Sequence, residues 1–105
     1  MNDVAPTARA LASLGHEVRL GVFRLLVRAG EEGLPVGEIA QHQGLAPSTL
    51  AHHLRALVDA GLVAQERRGR EVRSRVDFEA MRRVLHFLTA ECCTGVRLEP
   101  RRDAA

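Results

Sequence analysis

The chain contains no Lys, no Trp and no Tyr, and its aromatic content is 3%, all of it Phe. Without Lys, all 15 cationic side chains are Arg. Its two cysteines are adjacent, Cys92 and Cys93, so they cannot staple distant segments, and a disulfide-built secreted domain is excluded. No apolar run approaches the ~20 residues that a membrane helix needs, so no membrane partner is expected. The start, Met1-Asn2-Asp3-Val4, lacks the basic residues and apolar stretch of a secretory signal, and a cytoplasmic location is expected. Catalytic signatures are missing as well. There is no nucleophile triad, no phosphate-cradling glycine loop and no spaced carboxylate pair, and an enzyme is not expected.

The length of 105 residues is room for one domain, 1–105, with a thin core of its own. Hydrophobic residues at 46% and charged residues at 27% are the composition of a globular chain. The net charge of +2 is mild, but its distribution is uneven. Arg67, Arg68, Arg70, Arg73 and Arg75 stand against a single acid, Glu71. That local excess points to a polyanion, most simply nucleic acid. The plainer alternative is a solvated charged hairpin.

Hydrophobic spacing orders the elements. Pro6 to Leu14 reads as a first helix, opened by Pro6 and broken by Gly15. From His16 to Ala29, Val18, Val22, Leu25 and Leu26 recur on one helical face, widened by Phe23 and Val27. Gly30 and Gly33 end that helix. A short helix follows from Pro35 and Val36 to about Gln43, with Ile39 and Ala40 inward. After the turn Gly44-Leu45-Ala46, Pro47 opens another helix to about Ala60. Two short helices joined by a Gly-containing turn form a helix-turn-helix.

Beyond Gly61 the period becomes two. Leu62 to Arg67 reads as one strand and Glu71 to Val76 as a second, with Arg68-Gly69-Arg70 as the turn. This is an Arg-tipped hairpin placed as a wing. Asp77 can cap a last helix from Phe78 to about Cys92. On it Phe78, Met81, Leu85 and Leu88 form one apolar stripe, Val84 and Phe87 a second. One stripe serves the chain's own core and the other needs a partner. The tail 95–105 is polar and expected to fray. The fold expected is mainly α, an α-α-α-α-β-β-α winged helix-turn-helix. It would form a homodimer through terminal helices at about 6–14 and 78–92.

On a helical wheel, Leu50, Leu54, Leu57 and Val58 of the fourth helix lie together and face the core. Ser48, His52 and Arg55 lie opposite, with Thr49 at the edge. This is the half of a recognition helix that enters the major groove of double-stranded DNA. Arg55 suits a guanine edge or a phosphate; Ser48 and Thr49 suit phosphates. His53 falls on the border, grouped with the DNA-facing set by its neighbour His52 and with the core by its own angle. The two histidines point about 100° apart and make a poor chelate for one metal ion.

With these residues in view, the chain resembles the ArsR/SmtB family of bacterial metalloregulators from about Ala8 to Gly95. The stretches that carry the resemblance are Leu14-Gly15-His16-Glu17-Val18-Arg19 with Leu25-Leu26, Pro47-Ser48-Thr49-Leu50-Ala51-His52-His53-Leu54, Ala60-Gly61-Leu62-Val63, and Phe87-Leu88-Thr89-Ala90-Glu91-Cys92-Cys93. The resemblance implies a homodimeric repressor that holds operator DNA near its own promoter and leaves when an effector binds. The Phe-Leu-Thr-x-x-Cys-Cys ending resembles arsenic-responsive members, which implies an arsenic-resistance operon. A Cys-x-Cys found in other members is absent here, where Pro35 and Gly37 occupy those places. A zinc site in the last helix would have only Asp77, His86 and Glu91 to draw on.

Two vicinal thiols suit a soft centre such as trivalent arsenic or antimony. The plainer reading is that they are small core residues, yet two cysteines scattered at random over this length are seldom neighbours. A third arsenic ligand is not supplied by the chain. It is left to hydroxide, a cellular thiol, the partner subunit, or carbon of a methylated or aromatic arsenical. Three rival functions stand beside this one. A redox sensor usually wants a more distant resolving thiol. A zinc-responsive repressor would share the fold, and a thiol-based arsenic carrier would use the thiols without the DNA-reading helix.

Overall fold

Residues 3–98 are described in a computed structural model of the chain. Helix α1 spans Val4–Leu14, so it begins before Pro6, which lies in its first turn. Helix α2 covers Glu17–Ala29, and His16 caps it by accepting a hydrogen bond at Nδ1 from the Val18 N–H at 3.2 Å. A 3-10 turn at Gly30–Glu32 leads to strand β1, Leu34–Pro35, and helix α3, Val36–Gln43. Gly44 closes α3 in the left-handed region. Helix α4 spans Pro47–Asp59 with Pro47 in its first turn. Strands β2, Val63–Arg68, and β3, Glu71–Val76, form the hairpin, and α5 spans Phe78–Thr89. The fold is a winged helix-turn-helix, as the sequence leads one to expect.

Two local features differ from the sequence reading. The sheet has three antiparallel strands in the order β1-β3-β2, not two, because Leu34 and Pro35 pair with Ser74 and Arg73. A two-residue strand has no period to detect. The hairpin is also tighter, since Arg68 pairs with Glu71 and leaves Gly69-Arg70 as a two-residue turn with Gly69 at φ 64.

The third strand depends on Gly33. It sits at φ 64, and a β-carbon there would meet the Ser74 carbonyl oxygen at 2.1 Å. Arg73 fastens the same corner. Its Nε donates to the Glu32 carbonyl and its Nη2 to the Gly33 carbonyl, each at 3.2 Å, while Nη1 meets Glu71 at 2.9 Å.

The core gathers Val22, Phe23, Leu25 and Leu26 from α2 and Ile39 and Ala40 from α3. Leu50, Leu54 and Leu57 from α4, and Leu62, Val63 and Val76 around the hairpin, complete it. Asp77 caps α5 by accepting from the Ala80 N–H at 3.0 Å. The inward side of α5 is Phe78, Ala80, Met81 and Val84. Leu85 and Leu88 are 55% and 56% exposed, so the stripe read from the sequence splits. Its first turns serve the core and its last two leucines face outward, as do Val4 and Leu11 of α1. The radius of gyration is 17.0 Å, against about 13 Å for a compact domain of this length.

Helix α5 ends at Thr89, not near Cys92. The Thr89 hydroxyl donates to the Leu85 carbonyl at 3.1 Å, and Ala90 leaves helical geometry at ψ 139. Glu91 and Cys93 then take positive φ, which an L-residue helix cannot continue. The tail expected to fray lies outside the described residues from position 99 on.

Gly33→Ala should destabilise the fold by clearly more than Gly44→Ala. At Gly44, in the left-handed region, the change incurs a penalty of about 1 kcal/mol, and at Gly33, with φ 64 and ψ -159 in a region open almost only to glycine, it incurs about 1–3 kcal/mol. Only position 33 adds a collision with backbone, because nothing lies within 4 Å of a β-carbon at Gly44. Urea unfolding of the two variants gives the comparison; equal losses would deny the β1–β3 contact.

Candidate nucleic-acid interface and thiol pair

Helix α4 is two-faced. Leu50, His53, Leu54 and Leu57 are buried, at the i, i+3, i+4, i+7 spacing of a core-facing stripe. Ser48, Thr49, His52 and Arg55 are exposed on the other side. The N-terminus of α4 has no side-chain cap and no acid in its first turn. Its unpaired N–H groups and dipole therefore favour an anion. Arg55 pairs with Asp59 one turn on at 3.3 Å, an exposed contact easily exchanged.

His53 belongs to the buried face, which corrects its grouping with the DNA-facing residues. Its Nδ1 accepts a hydrogen bond from Arg19 Nε at 3.3 Å. Its ring lies 4.8 Å from that of His16 and 5.5 Å from that of His52. The cluster ties the start of α2 to the middle of α4. Burial holds the His53 imidazole below its ordinary pKa, helped by His16, Arg19 and His52, which favours the neutral ring. The spacing from Leu50 carried this signal; the partners His16 and Arg19, far back in the chain, did not.

The wing arginines divide into two groups. Arg68 pairs with Glu66 at 3.1 Å and with Glu32 at 3.4 Å, and Arg73 holds the β1 corner. The Glu66 carboxylate, followed by Glu32, raises the Arg68 pKa further. The side chains of Arg67, Arg70 and Arg75 make no hydrogen bond or ion pair among the described residues. Arg67 and Arg70 are exposed and Arg75 is half-buried. A groove of about 520 Å³ runs between α3, α4 and the hairpin, and it brings Arg55 of the helix and Arg70 of the wing to one concavity.

Cys92 and Cys93 lie just past α5, both exposed, with their sulfurs 3.2 Å apart in a hydrogen bond. They are not core residues. Two successive turns hold the segment: the Cys92 N–H donates to the Thr89 carbonyl at 3.1 Å and the Thr94 N–H to that of Glu91 at 3.2 Å. The contact with Cys93 pushes the Cys92 thiol above its ordinary pKa, with a further push from desolvation. No group of three or more His, Cys, Asp or Glu able to hold a metal ion occurs among the described residues. Within one chain, Asp77, His86 and Glu91 thus do not form the zinc set considered from sequence.

A family model described as a helix-turn-helix domain matches residues 14–66. Among solved structures, an ArsR-like transcriptional regulator from Rhodococcus sp. RHA1 is 27% identical, with a TM-score of 0.70 over 80% of this chain and 76% of that one. The chain belongs to this helix-turn-helix family and is a winged helix regulator of ArsR/SmtB type. A possible transcriptional regulator for arsenical resistance is 28% identical over 75% of this regulator and 79% of its own chain, with a TM-score of 0.66. The homodimeric winged helix-turn-helix domain Mb0332 from Mycobacterium bovis shares the fold, with a TM-score of 0.67 over 91% and 90% of the two chains at 23% identity. No curated protein matches the sequence. In this regulator no helix among the described residues is long and apolar enough to cross a membrane.

Two measurements follow from this division of labour. Arg73→Ala should cost on the order of 1–3 kcal/mol of stability, because it leaves two backbone carbonyls without their charged donor. Arg70→Ala should stay within about 0.5 kcal/mol of wild type. Denaturant unfolding of the pair decides it, and the reverse order would refute the assignment. As pH falls below about 6.5, the unfolded chain takes up a proton that native His53 resists, so stability contributed by neutral His53 is lost on acidification. His53→Gln, which keeps an acceptor for Arg19 but cannot charge, should show a shallower loss between neutral and mildly acid pH. An unchanged slope would mean His53 titrates normally.

Proposed function

We propose that this regulator is a homodimeric repressor that binds double-stranded operator DNA of an arsenic-resistance operon and is released when a trivalent arsenical or antimonite binds Cys92 and Cys93. The observation that carries the effector reading is the pair of exposed sulfurs in mutual contact at the end of α5 in an ArsR/SmtB-type chain. Soft thiolates select a soft, thiophilic centre, and adjacent thiolates close one chelate ring around it. A relative named for arsenical resistance agrees with this choice.

On the DNA side, the exposed face of α4 enters the major groove, with Arg55 and His52 toward base edges and Ser48 and Thr49 toward phosphates beside the helix N-terminus. Arg67, Arg70 and Arg75 of the wing supply free cations, whereas Arg68 and Arg73 serve the fold first. The exposed Leu85 and Leu88 of α5, with Val4 and Leu11 of α1, form the apolar face that a second copy covers. Two copies related by a two-fold axis present two recognition helices to grooves one turn apart, roughly 34–36 Å. The thiol pair follows the dimerising helix directly. Effector binding there favours a dimer geometry that spaces the two recognition helices poorly, and the thiol pair needs no contact with DNA.

The deciding experiment is a DNA shift assay on the region upstream of its own operon, titrated with arsenite, a methylated trivalent arsenical, zinc and hydrogen peroxide. Arsenicals should release the DNA. Cys92→Ser and Cys93→Ser should each abolish that release while leaving basal affinity within a few-fold. Release by zinc alone would refute the thiol reading in favour of a nitrogen and oxygen site. Arg70→Ala should lower affinity on operator and random DNA alike and reduce the salt slope by about one charge per subunit. Leu88→Glu should convert the sedimenting species from dimer to monomer; a dimer that survives Leu85→Glu and Leu88→Glu together would place the interface elsewhere.

A further inference from the structure

The two sulfurs need no third thiol in order to react with each other. They already touch at 3.2 Å, both are exposed, and among the described residues the hydrogen-bond partner of each sulfur is the other. A disulfide is about 2.05 Å long, so closing it asks for roughly 1.2 Å of approach. The backbone between them is free of the helix, with Cys93 at φ 65. The resolving thiol that redox chemistry requires is therefore the neighbouring residue.

We propose that Cys92 and Cys93 close into a vicinal disulfide under hydroperoxide, and that this oxidation shuts the effector site. The first clause stands on the geometry alone; the second rests on the paired-thiol reading above. In the first step one sulfur gives its electron pair to an oxygen of hydrogen peroxide, the O–O bond breaks, and a sulfenic acid and one water form. In the second the other sulfur attacks the sulfenic sulfur, the S–O bond breaks, and the hydroxyl leaves as water with the second thiol's proton. Two thiols have lost two electrons and two protons, and one peroxide has become two waters.

The product is a strained ring. Neighbouring Cα atoms lie about 3.8 Å apart, inside the lower limit of the usual ~4.4–6.8 Å range for disulfides. Strained, exposed disulfides are the labile ones, returned to thiols by ordinary cellular reductants. The electron pairs that would bind a soft centre are committed to the S–S bond while it lasts. An oxidised regulator is thus blind to arsenicals and stays on its operator, and reduction restores the response.

The test uses the full chain. Reduced protein is treated with one equivalent of hydrogen peroxide, alkylated with N-ethylmaleimide and weighed intact, alongside untreated protein. The expected product has lost two hydrogens, takes up no maleimide and remains free of inter-subunit cross-links. Untreated protein takes up two maleimides. A product that is cross-linked between subunits, or that keeps an alkylatable thiol beside a sulfinic acid, would overturn the vicinal disulfide. Cys92→Ser keeps only one sulfur and, given a second equivalent of peroxide, should run on to sulfinic acid, whereas the disulfide of the wild type should take up no further oxygen, showing that the neighbour does the resolving. Phenylarsine oxide is then titrated into both forms. Reduced protein should bind one equivalent, oxidised protein none, and dithiothreitol treatment should recover the site before the arsenical is added. Binding that is equal in the two forms would overturn the gate. Absence of binding to reduced protein would instead overturn the proposed effector site, leaving the mass result to judge the disulfide.

Discussion

Everything in this fold hangs on the burial of one stripe of α4. Leu50, Leu54 and Leu57 are 0%, 1% and 0% exposed against Val22, Leu26 and Ile39. Each fully buried leucine contributes about 1.5–3 kcal/mol, and three together are a large part of the roughly 5–15 kcal/mol that holds a small domain folded. A helix with one face so committed has only the other to offer. That is why Ser48, Thr49, His52 and Arg55 share a surface and why His53, on the edge of the leucine stripe, is turned toward Arg19 and His16. The angle of the exposed face is set by core packing, and the Arg19–His53 bond adds a polar stop.

A similar constraint governs the wing. The five arginines shared between the two hairpin strands and their turn could not all serve one ligand, because the hairpin itself needs some of them. Arg73 is held by the carbonyls of Glu32 and Gly33, closing the third strand over a glycine that admits no side chain. Arg68 is balanced by Glu66 and Glu32. What remains beside the groove next to α4 is Arg70, with Arg67 near the turn, which is a smaller and better-defined positive edge than composition suggests.

Most of the architecture was legible in the sequence because it is written in periods and breakers. Five helices, the hairpin, the capping role of Asp77 and the inward faces of α2, α3 and α4 follow from spacing alone. The misses have physical causes. Strand β1 is two residues long and exists only through its pairing with β3. The end of α5 is set by the extended ψ of Ala90 and by positive φ at Glu91 and Cys93, neither of which leaves a hydrophobic signature. The split of the α5 stripe into core and surface parts depends on where α5 crosses the body of the domain. In the candidate site, the exposed set on α4 and the adjacency of the thiols could be read directly. The burial of His53 and the structural employment of Arg68 and Arg73 could not, since their partners lie up to 41 positions away.

The proposed release requires that two places that do not touch be joined: the exposed face of α4 and the thiols beyond α5. Such a link is a coupling free energy, and it must act equally in both directions. The most direct test is a thermodynamic cycle: the affinity of a trivalent arsenical for the free dimer and for the operator-bound dimer, measured beside the affinity for operator with and without arsenical. Operator should weaken arsenical binding by the same factor by which arsenical weakens operator binding, a factor of about 5–150 for ordinary coupling. An arsenical affinity that is identical on and off the DNA would contradict the proposed release, and the thiol pair would then be a binding site without a regulatory role.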